Sequence, residues 1–528
     1  MCVSDSASEG VSGSRIVRIA ARHSDLARLQ AYRVGDALRK VFPELKIEYA
    51  FRASLGDINQ RDPLWKMPEK GVFTEDFLAD LIEGRADLVV HSWKDLPTEP
   101  RPHTEIVATL PRADVRDLLL FRKDRLETAK NSGRVRILTS SPRRAHNLKA
   151  FLEQHLPFTG AIRAEVSFEN VRGNIPTRLT KLLNQDVDAL VVAKAALDRL
   201  LEAPEPEFAE VQAVIRGALA KTRLMCLPLA VNPTAAAQGA LAVEINKNNL
   251  VLRECLKRIN CEATFRSVNA ERRTLASYGG GCHQKIGVNV LSRSFGEITF
   301  LRGLTDAGEV LDRVALKSAT DAMSPVPAQQ IFPREGEAST FFERVPLGRD
   351  AWVQAESERY LWIARDNAWP SGFQAREDAV VWTAGLKTWR KLAERGIWVT
   401  GTSEGLGENE PTRLETLLGE SRLNWLKLTH QETAAVGVDS EARICATYRL
   451  RELAADQVPD LSQRRHFYWM STSAFDQALK MFPGILSASH ASGPGHTHQL
   501  LKERLGGGRT PAVFLNVEEW RRAVLGST

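Results

Sequence analysis

Lys94 and Asp95 directly follow an apolar segment, ADLVVHSW, that is predicted to be a buried strand. An Asp at the end of such a strand can give a proton to a leaving group or stabilise a developing cation. In open α/β sheets, ligands bind outside the carboxyl ends of the strands. A helix cap or a solvated ion pair is the alternative, so this pair alone does not establish a catalytic site.

Five arginines stand at predicted strand ends or glycine turns, namely Arg22, Arg143, Arg144, Arg172 and Arg178. A guanidinium group suits bidentate contacts to carboxylates or phosphates. Each arginine alone is more simply explained as a solvated surface residue. Together, their positions favour a site for a polyanion.

Cys282 follows three consecutive glycines, Gly279–Gly281. Glycine admits positive φ and lets the backbone approach a ligand closely. A cysteine on such a loop can be a nucleophile or an attachment point, and a buried small side chain is the alternative. The other five cysteines form no CxxC pair, and free thiols fit a reducing compartment.

The composition indicates a soluble enzyme or binding protein with several domains, because 528 residues exceed the roughly 250–300 that one core supports. The net charge is +6, but no dense Lys/Arg block predicts nucleic-acid binding. We expect no membrane span, since no run of 18 apolar residues occurs. Residues 1–14 resemble neither a signal nor a transit peptide, so a cytoplasmic location is expected. His490, His496 and His498 fit no common zinc spacing, so they are expected to be solvated loop histidines and no metal is expected.

Local patterns predict an α/β fold that opens with a strand at Ile16–Arg22, a helix capped by Ser24, and a second strand. This β-α-β order implies a parallel sheet. Leu55–Gly71 lacks periodicity and is predicted to be a long exposed loop, followed by a helix with Thr74 as its N-cap. Strand–loop–helix units then recur along the chain.

The middle and C-terminal parts continue this pattern. Ala240–Ile245 is predicted to be a strand, Val251–Arg273 a helical stretch, and EITFLRGLTDA part of a hairpin or small sheet. Residues 320–345 are rich in Pro, Ala, Gln and Glu, which is typical of a linker. Beyond them, tryptophan-rich strand–helix patterns indicate a further α/β unit.

Seven segments resemble the hydroxymethylbilane synthase family, also called porphobilinogen deaminase. In chain order they are RIAARHSDLARLQA, KGVFTEDFLADLIEGRADLVVHSWKDLPTE, SSPRRAHNL, VRGNIPTRLTKL, DALVVAKAALDRL, AAAQGALAVE and ERRTLASYGGGCHQKIG, within about residues 15–320. The resemblance implies two periplasmic-binding-protein-like lobes, formed by residues 15–112 with 240–258 and by 113–239. It also implies a small α/β cofactor-carrying domain at 259–325. A linker at 326–345 and a C-terminal α/β, Rossmann-like domain at 346–528 would follow.

The resemblance implies a dipyrromethane cofactor joined to Cys282 through a thioether. Four porphobilinogens would be added to it with loss of ammonia, and water would release a linear tetrapyrrole. Asp95, with Lys94 beside it, would give a proton to the departing amine and stabilise the resulting cation. The pyrrole carboxylates would account for the arginines, and the loop Gly56–Lys70 would act as a mobile lid.

The residues that the resemblance assigns to cofactor and substrate binding are Arg22, Ser24, Lys66, Lys70, Ser92, Thr139, Ser140, Ser141, Arg143, Arg144, Arg172, Gly173, Asn174, Thr177, Arg178, Arg199, Gln238 and Gly239. The sequence departs from the family pattern in three places. Directly after Cys282 the chain reads HQKIG, where the family usually has an apolar residue and proline before Ile-Gly. Ala195–Leu197 reads Ala-Ala-Leu where the family usually has Ala-Gly-Leu. An extra stretch spans roughly Pro157–Glu165. The first departure concerns the packing of the cofactor loop.

Segments of the C-terminal third resemble uroporphyrinogen-III synthase, among them VVWTAGLKTWRKL, YWMSTSAFDQAL and ASHASGPGHTHQLL. Ser403, Tyr448 and Thr497 would be the hydroxyl residues of this second site, although helix capping also explains such residues. A non-catalytic, structural C-terminal domain is the alternative.

The predicted small-molecule partners are porphobilinogen and oligopyrrole polycarboxylates, and a monomer is the working hypothesis. The competing classes are a non-catalytic polycarboxylate-binding protein with the same two-lobed cleft and an inactive scaffold protein. The first would have no use for Cys282 on a glycine loop, and the intact Lys94–Asp95 pair disfavours the second.

Overall fold

The computed structural model describes residues 16–53, 75–158, 164–280, 284–318, 325–337, 341–431 and 443–526. The predicted site residues Lys66, Lys70 and Cys282, the predicted cap Thr74 and the predicted lid lie outside these ranges. Among the described residues, no helix has both the length and the apolar character needed to cross a membrane.

Short strands alternate with helices through residue 280. The strands are β1 (Ile16–Arg22), β2 (Lys46–Arg52), β3 (Leu88–Ser92), β4 (Thr104–Ala108), β5 (Asp117–Arg122), β6 (Arg134–Leu138), β7 (Glu165–Glu169), β8 (Ala189–Ala193), β9 (Thr222–Cys226) and β10 (Leu241–Asn246). The helices are α1 (Asp25–Val41), α2 (Glu75–Ile82), α3 (Leu126–Ser132), α4 (Pro142–His155), α5 (Ile175–Asn184), α6 (Lys194–Leu201), α7 (Ala209–Ala220), α8 (Leu250–Lys257) and α9 (Glu262–Ala276). The predicted opening strand is confirmed.

The predicted helical stretch Val251–Arg273 is two helices, α8 and α9. The chain turns between them, where the backbone N–H of Cys261 donates to the carbonyl of Thr109 at 2.8 Å. A bond to a distant segment replaces the helical bond at this point, and the sequence pattern does not reveal it.

Two five-stranded sheets follow the same plan, with orders β2-β1-β3-β10-β4 and β7-β6-β8-β5-β9. In the first, β1 pairs in parallel with β2 and β3, whereas β10 runs antiparallel to β3 and β4. In the second, β5 runs antiparallel to β8 and β9. The sheet that was expected to be parallel is therefore mixed. The antiparallel strands are β10 in the first sheet and β5 in the second, and each arrives from the other five-stranded sheet. Residues 109–116 and 227–240, the connecting segments, join the two sheets.

A third unit combines α9 with an antiparallel sheet of β11 (Gly287–Arg293), β12 (Gly296–Leu304) and β13 (Val310–Ser318). The predicted small sheet is confirmed. Phe265 of α9 packs on Trp93, with ring centroids 5.3 Å apart. The third unit thus contacts the end of β3 directly.

The C-terminal part contains two further sheets. Its strands are β14 (Ile331–Phe332), β15 (Phe342–Pro346), β16 (Tyr360–Ile363), β17 (Val380–Thr383), β18 (Gly401–Thr402), β19 (Leu426–His430), β20 (Arg443–Glu452), β21 (His466–Trp469), β22 (Ser489–Ser492) and β23 (Ala512–Val513). Its helices are α10 (Leu386–Ala393), α11 (Glu415–Leu418), α12 (Thr472–Met481), α13 (His496–Leu505) and α14 (Val517–Leu525). The sheet orders are β15-β20-β19-β16-β17-β18 and β14-β21-β22-β23, and only β15 pairs in an antiparallel manner.

The segment expected to be a linker contributes β14, whose Ile331 and Phe332 are buried and pair with β21. A linker prediction based on Pro, Ala, Gln and Glu content misses this strand because only two apolar residues carry it. The same segment also supplies most of β15 (Phe342–Pro346), which pairs with β20, so residues 326–345 contribute strands to both C-terminal sheets.

The first C-terminal sheet shares a hydrophobic core with the second five-stranded sheet. Trp398 Nε1 donates to the carbonyl of Leu224 at 2.8 Å, and Trp389 Nε1 donates to that of His155 at 3.3 Å. At the sheet edges, the N–H of Cys226 donates to the carbonyl of Thr400 at 2.6 Å. The shared core and these bonds join the two units, and replacing either buried Trp with Ala should cost about 3–5 kcal/mol.

Candidate active site

Lys94 and Asp95 lie on a single turn of 3-10 helix, Trp93–Asp95, directly after β3. Trp93 is 1% exposed and anchors the turn, whereas Asp95 is exposed. The N–H of Leu96 closes the turn by donating to the Trp93 carbonyl. The predicted position at the carboxyl end of a strand is confirmed, and an apolar anchor places a solvent-facing carboxylate there.

Helix α9 holds this turn from the third unit. Arg272 Nη1 donates to the carbonyl of Leu96 at 3.1 Å, and Nη2 donates to that of Pro97. Charge-assisted bonds to two consecutive carbonyls fix the chain directly after Asp95. The position of Asp95 therefore depends on the first sheet and on α9 together.

The glycine segment that precedes Cys282 runs against the same loop. Gly280 has φ +62°, and a Cβ at this position would lie 2.3 Å from Thr98 Oγ1. Only glycine fits without displacing Thr98, which is three residues after Asp95. The buried Gln284 closes the loop, because its Nε2 donates to the Tyr278 carbonyl at 2.5 Å. The unusual HQKIG sequence thus supplies a bond across the base of this loop.

A buried polar network extends from Lys94 to the second sheet. Lys94 Nζ donates to Gln238 Oε1 at 3.1 Å, and Gln238 Nε2 donates to Asp117 Oδ1 at 2.8 Å. Asp117 is fully buried and accepts bonds from Arg143 at 2.9 Å and from Arg144 at 2.6 Å. Both five-stranded sheets and a connecting segment meet in this network.

The network shifts the pKa of its charged groups. Burial lowers the pKa of the Lys94 ammonium to about 8; Asp95 opposes this effect, and Arg144 adds to it. Burial disfavours the Asp117 carboxylate, but Arg144 and Arg143 overcome this effect and hold its pKa far below the usual range. Lys94 therefore titrates much closer to neutral pH than a surface lysine, while Asp117 stays ionised.

Arg143 and Arg144 face the protein interior. Each guanidinium makes three hydrogen bonds to protein atoms: Arg143 to Asp117, Asn232 and the Pro233 carbonyl, and Arg144 to Asp117 twice and the Val191 carbonyl. Contact of these arginines with a substrate carboxylate stays a prediction. Their observed role is to neutralise Asp117 and to brace α4.

Arg178 is half-buried and fits the predicted carboxylate-binding role better than Arg143 and Arg144 do. Its Nε donates to the Gly173 carbonyl at 2.8 Å, which is the one hydrogen bond of its side chain among the described residues. Burial lowers its pKa to about 10, with a further decrease from Arg144 and an opposing increase from Asp95. Arg178 is thus an electrostatic neighbour of Asp95 with guanidinium donors available for an anion. Arg172 lies in the same electrostatic group.

Several predicted binding residues shape the loops around this group. Ser141 and Asn174 cap α4 and α5 by accepting from the backbone N–H groups of Arg144 and Thr177. The contacts of the others are Thr139 Oγ1 with the Ser141 N–H, Ser140 with the Val171 backbone, Thr177 with Asn174, and Ser92 with Gln30. These contacts give the residues structural roles in the loops, and ligand binding by them stays a prediction.

The remaining predicted residues of this half lie around the same sheets. Ser24 precedes α1 as predicted but makes no side-chain cap bond, and Arg22 ends β1. Gly173 has φ +111°, and a Cβ there would lie 2.6 Å from Thr177 Cγ2. Its glycine is therefore required by close contact with α5.

Arg199 is bonded to a connecting segment. It is 5% exposed, and its Nη2 donates to the Gly239 carbonyl at 2.6 Å. Gly239 directly follows Gln238, the hydrogen-bond partner of Lys94. The charged neighbours of Arg199 are Arg33, Glu202 and Asp198, and its convergence with the other arginines on one carboxylate site stays a prediction.

Sequence reasoning missed the buried acids Asp117 and Glu271. Glu271 of α9 accepts from Arg112 at 2.6 Å and from the N–H groups of Ala237 and Val290, both at 2.8 Å. Their only signal is a charged residue within a predicted strand or helix face, and their partners are 19 to 159 residues away. Such long-range pairing is invisible to local patterns.

The predicted C-terminal hydroxyl residues have different environments. Ser403 is buried and accepts from Trp382 Nε1 at 3.0 Å. Tyr448 is 2% exposed, and burial raises its pKa while Arg365 and Arg344 oppose the shift. Thr497 lies in the first turn of α13, on the other C-terminal sheet. The structure therefore places Ser403 and Tyr448 on one sheet and Thr497 on the other.

The C-terminal histidines do not form a cluster of metal ligands within the described ranges, where no group of three or more suitable side chains occurs. His490 is buried, accepts from Trp469 Nε1 at 2.9 Å and contacts the Ile485 carbonyl at 3.0 Å. These bonds give His490 a structural role in place of the solvated one expected from the sequence.

Comparisons with known proteins agree with the resemblance. The family model "Porphobilinogen deaminase, dipyromethane cofactor binding domain" matches residues 17–254. Porphobilinogen deaminase of Syntrophomonas wolfei is 32% identical over 317 residues, which are 60% of this chain and 92% of that protein. The enzyme of Maridesulfovibrio salexigens is 35% identical over 274 residues, 52% of this chain and 79% of that protein.

Among solved structures, the aliphatic sulphonate binding protein SsuA from Escherichia coli is 14% identical, and the match covers 50% of this chain and 71% of that one. Its TM-score of 0.24 is too low to support an argument. The relative from Syntrophomonas wolfei, by contrast, is matched over 92% of its length at 32% identity. The chain belongs to the porphobilinogen deaminase family, whose cofactor is dipyrromethane.

Proposed function

We propose that the protein is a hydroxymethylbilane synthase, which condenses four porphobilinogen molecules with loss of ammonia into a linear tetrapyrrole. The observation that carries the proposal is the contact between two loops. The loop that bears Asp95 packs, through Thr98, against Gly280, two residues before Cys282. Family membership supports the same reaction.

The residues present fit a dipyrromethane attached to Cys282. A side chain at Gly280 would collide with Thr98, so the backbone here comes close to the loop of the proposed acid. Lys94 and Arg178 supply positive charge beside Asp95, which suits the carboxylates of a pyrrole chain. When bound, the cofactor supplies the primer to which the pyrrole units are joined.

We assign the proton transfers to Asp95. Its exposed carboxyl group can give a proton to the departing amine and take up the proton released after each carbon–carbon bond forms. Lys94 and Arg178 supply the positive charge that binds substrate carboxylates. Asp117 neutralises Arg143 and Arg144, so the arginine-rich network remains folded without an anionic ligand.

Incubation of the purified protein with porphobilinogen tests the proposal. The expected result is catalytic release of four ammonia molecules for each linear tetrapyrrole. Binding of porphobilinogen without ammonia release would instead support the polycarboxylate-binding alternative.

For residues 346–528 we propose uroporphyrinogen-III synthase activity as a second function. The supporting observation is the position of Tyr448, which lies within β20 opposite His430, the last residue of the parallel strand β19, with Arg344 and Arg365 nearby. The family model ends at residue 254 and does not bear on this region. A purely structural role has its own support in the core shared with the second sheet.

The porphyrin isomers formed from porphobilinogen distinguish these two roles. Type III product that falls to type I in Tyr448→Phe would support the second activity. Exclusive type I product from the unmodified protein would leave the structural role.

A further inference from the structure

One stretch of the C-terminal part, residues 404–412, contacts both connecting segments and is called the clasp below. It lies between β18 and α11. In the connecting segment after β9, the backbone N–H of Ala230 donates to Glu404 Oε1 at 2.7 Å. In the connecting segment after β4, Arg116 Nη2 donates to the Thr412 carbonyl at 2.8 Å. The clasp is thus bonded to both segments through which one five-stranded sheet continues into the other.

Glu404 has a strained backbone conformation at this contact. Its φ is +53°, in the left-handed region, where a non-glycine residue persists only if its surroundings hold it there; such residues concentrate at functional sites. Besides Ala230, the carboxylate accepts from the N–H of Leu229, which is 2% exposed. A buried N–H group needs a partner, and here the backbone is neither helix nor strand. The strain at Glu404 is therefore tied to a specific contact.

Arg116 is held by the C-terminal part at the other connecting segment. Its guanidinium pairs with Asp114 at 2.7 Å and lies 5.5 Å from the ring centroid of Trp382 in β17. A cation within about 6 Å of an aromatic ring centroid is attracted to the ring. The clasp also contacts the third unit, where Arg293 Nε donates to Glu410 Oε2 at 3.0 Å. The C-terminal part thus bonds to both connecting segments and to the third unit.

These contacts lie next to the polar network that holds Lys94. Arg116 directly precedes Asp117, the buried acid of that network. In the other connecting segment, Asn232 Nδ2 donates to Asp117 Oδ2 at 2.9 Å, two residues after the bond to the clasp. Gln238, further along this segment, bonds both Asp117 and Lys94. A displacement of this segment would therefore be transmitted to the hydrogen bond that fixes the Lys94 ammonium group.

We propose that Glu404 is a positioning residue for the synthase reaction, acting through the connecting segment after β9 on Gln238 and Lys94. This inference rests on the proposed synthase function. When Glu404 no longer holds the segment, Lys94 is in place to bind a substrate carboxylate for a smaller fraction of the time. The apparent affinity for porphobilinogen then falls by that fraction, whereas the rate of the bound complex does not change. The C-terminal part thereby sets substrate affinity at the Asp95 turn.

Steady-state kinetics of Glu404→Ala in the full chain test this proposal. We expect KM for porphobilinogen to rise about tenfold, as for a competent fraction of about one tenth, with kcat unchanged. Glu404→Gln keeps an oxygen that can accept from Ala230, so it should return KM to within about threefold of the unmodified value. Glu394→Ala is the control, because this exposed acid pairs with Arg390 and Lys391 of α10; its KM and kcat should stay unchanged.

Glu404→Asp keeps the test decisive if the alanine variant does not fold. Its carboxylate is one methylene shorter and retracts from the Ala230 N–H, so KM should again rise. Hydrogen exchange of residues 227–240 should be faster in both variants. An unchanged KM in the folded variants, or a fall in kcat at unchanged KM, would overturn the proposal, because a merely structural role lowers only the active fraction. Absence of ammonia release from the unmodified protein would instead defeat the synthase proposal itself.

Discussion

The turn that carries Asp95 follows the carboxyl end of β3, and Tyr448 lies in β20 beside the carboxyl end of β19. They differ in what holds them. The Asp95 turn is fixed by Arg272 of the third unit, by the contact between Thr98 and Gly280, and by the network from Lys94 to Asp117. At the C-terminal edge, Ser403 binds Trp382 of its own sheet.

This difference separates a site whose polar contacts come from several units from one whose hydroxyl groups, on Ser403 and Tyr448, bond to residues of their own sheet. Burying Asp117 with Arg143 and Arg144 has a large desolvation cost, and such a network is weak evidence for stability alone. The network lies next to Lys94, and it fixes positive charge where a pyrrole carboxylate would bind. The C-terminal edge has no comparable buried ion pair at Tyr448 among the described residues.

The largest effect is expected for Asp117→Asn. Removing this carboxylate leaves Arg143 and Arg144 buried without compensation, so the free energy of unfolding should fall by about 3–5 kcal/mol in denaturant titrations. Since the pKa of Asp117 is depressed in the folded state, its contribution is complete above about pH 4 and decreases on further acidification.

Asp124→Asn is the matched control for that variant, because Asp124 pairs with Arg122 but its side chain is 65% exposed. A loss of at most about 1 kcal/mol is expected. Equal losses in both variants would show that the buried network has no special role.

Asp95→Asn tests whether the carboxyl group of Asp95 transfers protons in the reaction. The exposed amide cannot transfer the proton, so the rate of porphobilinogen consumption should fall at least about 10²-fold without a change in stability. Glu44→Gln, an exposed acid elsewhere on the first sheet unit, should keep the normal rate. A rate near normal for Asp95→Asn would remove this residue from the reaction.

Gly280→Ala tests the contact between the two loops. Positive φ costs about 1–2 kcal/mol, and the collision with Thr98 adds to it, so both stability and cofactor loading should fall. Gly308→Ala is the control, because Gly308 has φ +85° with no atom within 4 Å of its added Cβ. Its stability should fall similarly while cofactor loading stays complete; equal loading in both variants would argue against the contact's importance.

The smallest effect concerns the protonation of Lys94. Its ammonium has a pKa near 8, so the positive charge is present below that pH and is lost above it. KM for porphobilinogen should therefore rise about tenfold as the pH passes through 8, on the scale of one lost charged contact. In Lys94→Arg, which stays protonated, this rise should disappear. An identical pH profile in the variant would exclude Lys94 from substrate binding.

Local sequence patterns were sufficient for β1 and the turn after β3, because a short apolar run followed by polar residues specifies both. They were insufficient for Asp117 and Glu271, whose partners come from other units of the chain. They also missed β14, since two apolar residues give no period. Residue types predicted the chemistry, whereas long-range packing decided which side chains are available for it.

The most direct measurement is the intact mass of the purified protein, followed by mass mapping of its peptides. We expect an addition on the order of 400 Da, two linked pyrrole units held as a covalent cofactor, on the peptide that contains Cys282. An unmodified Cys282 thiol in protein made by cells that synthesise tetrapyrroles would contradict the proposed synthase.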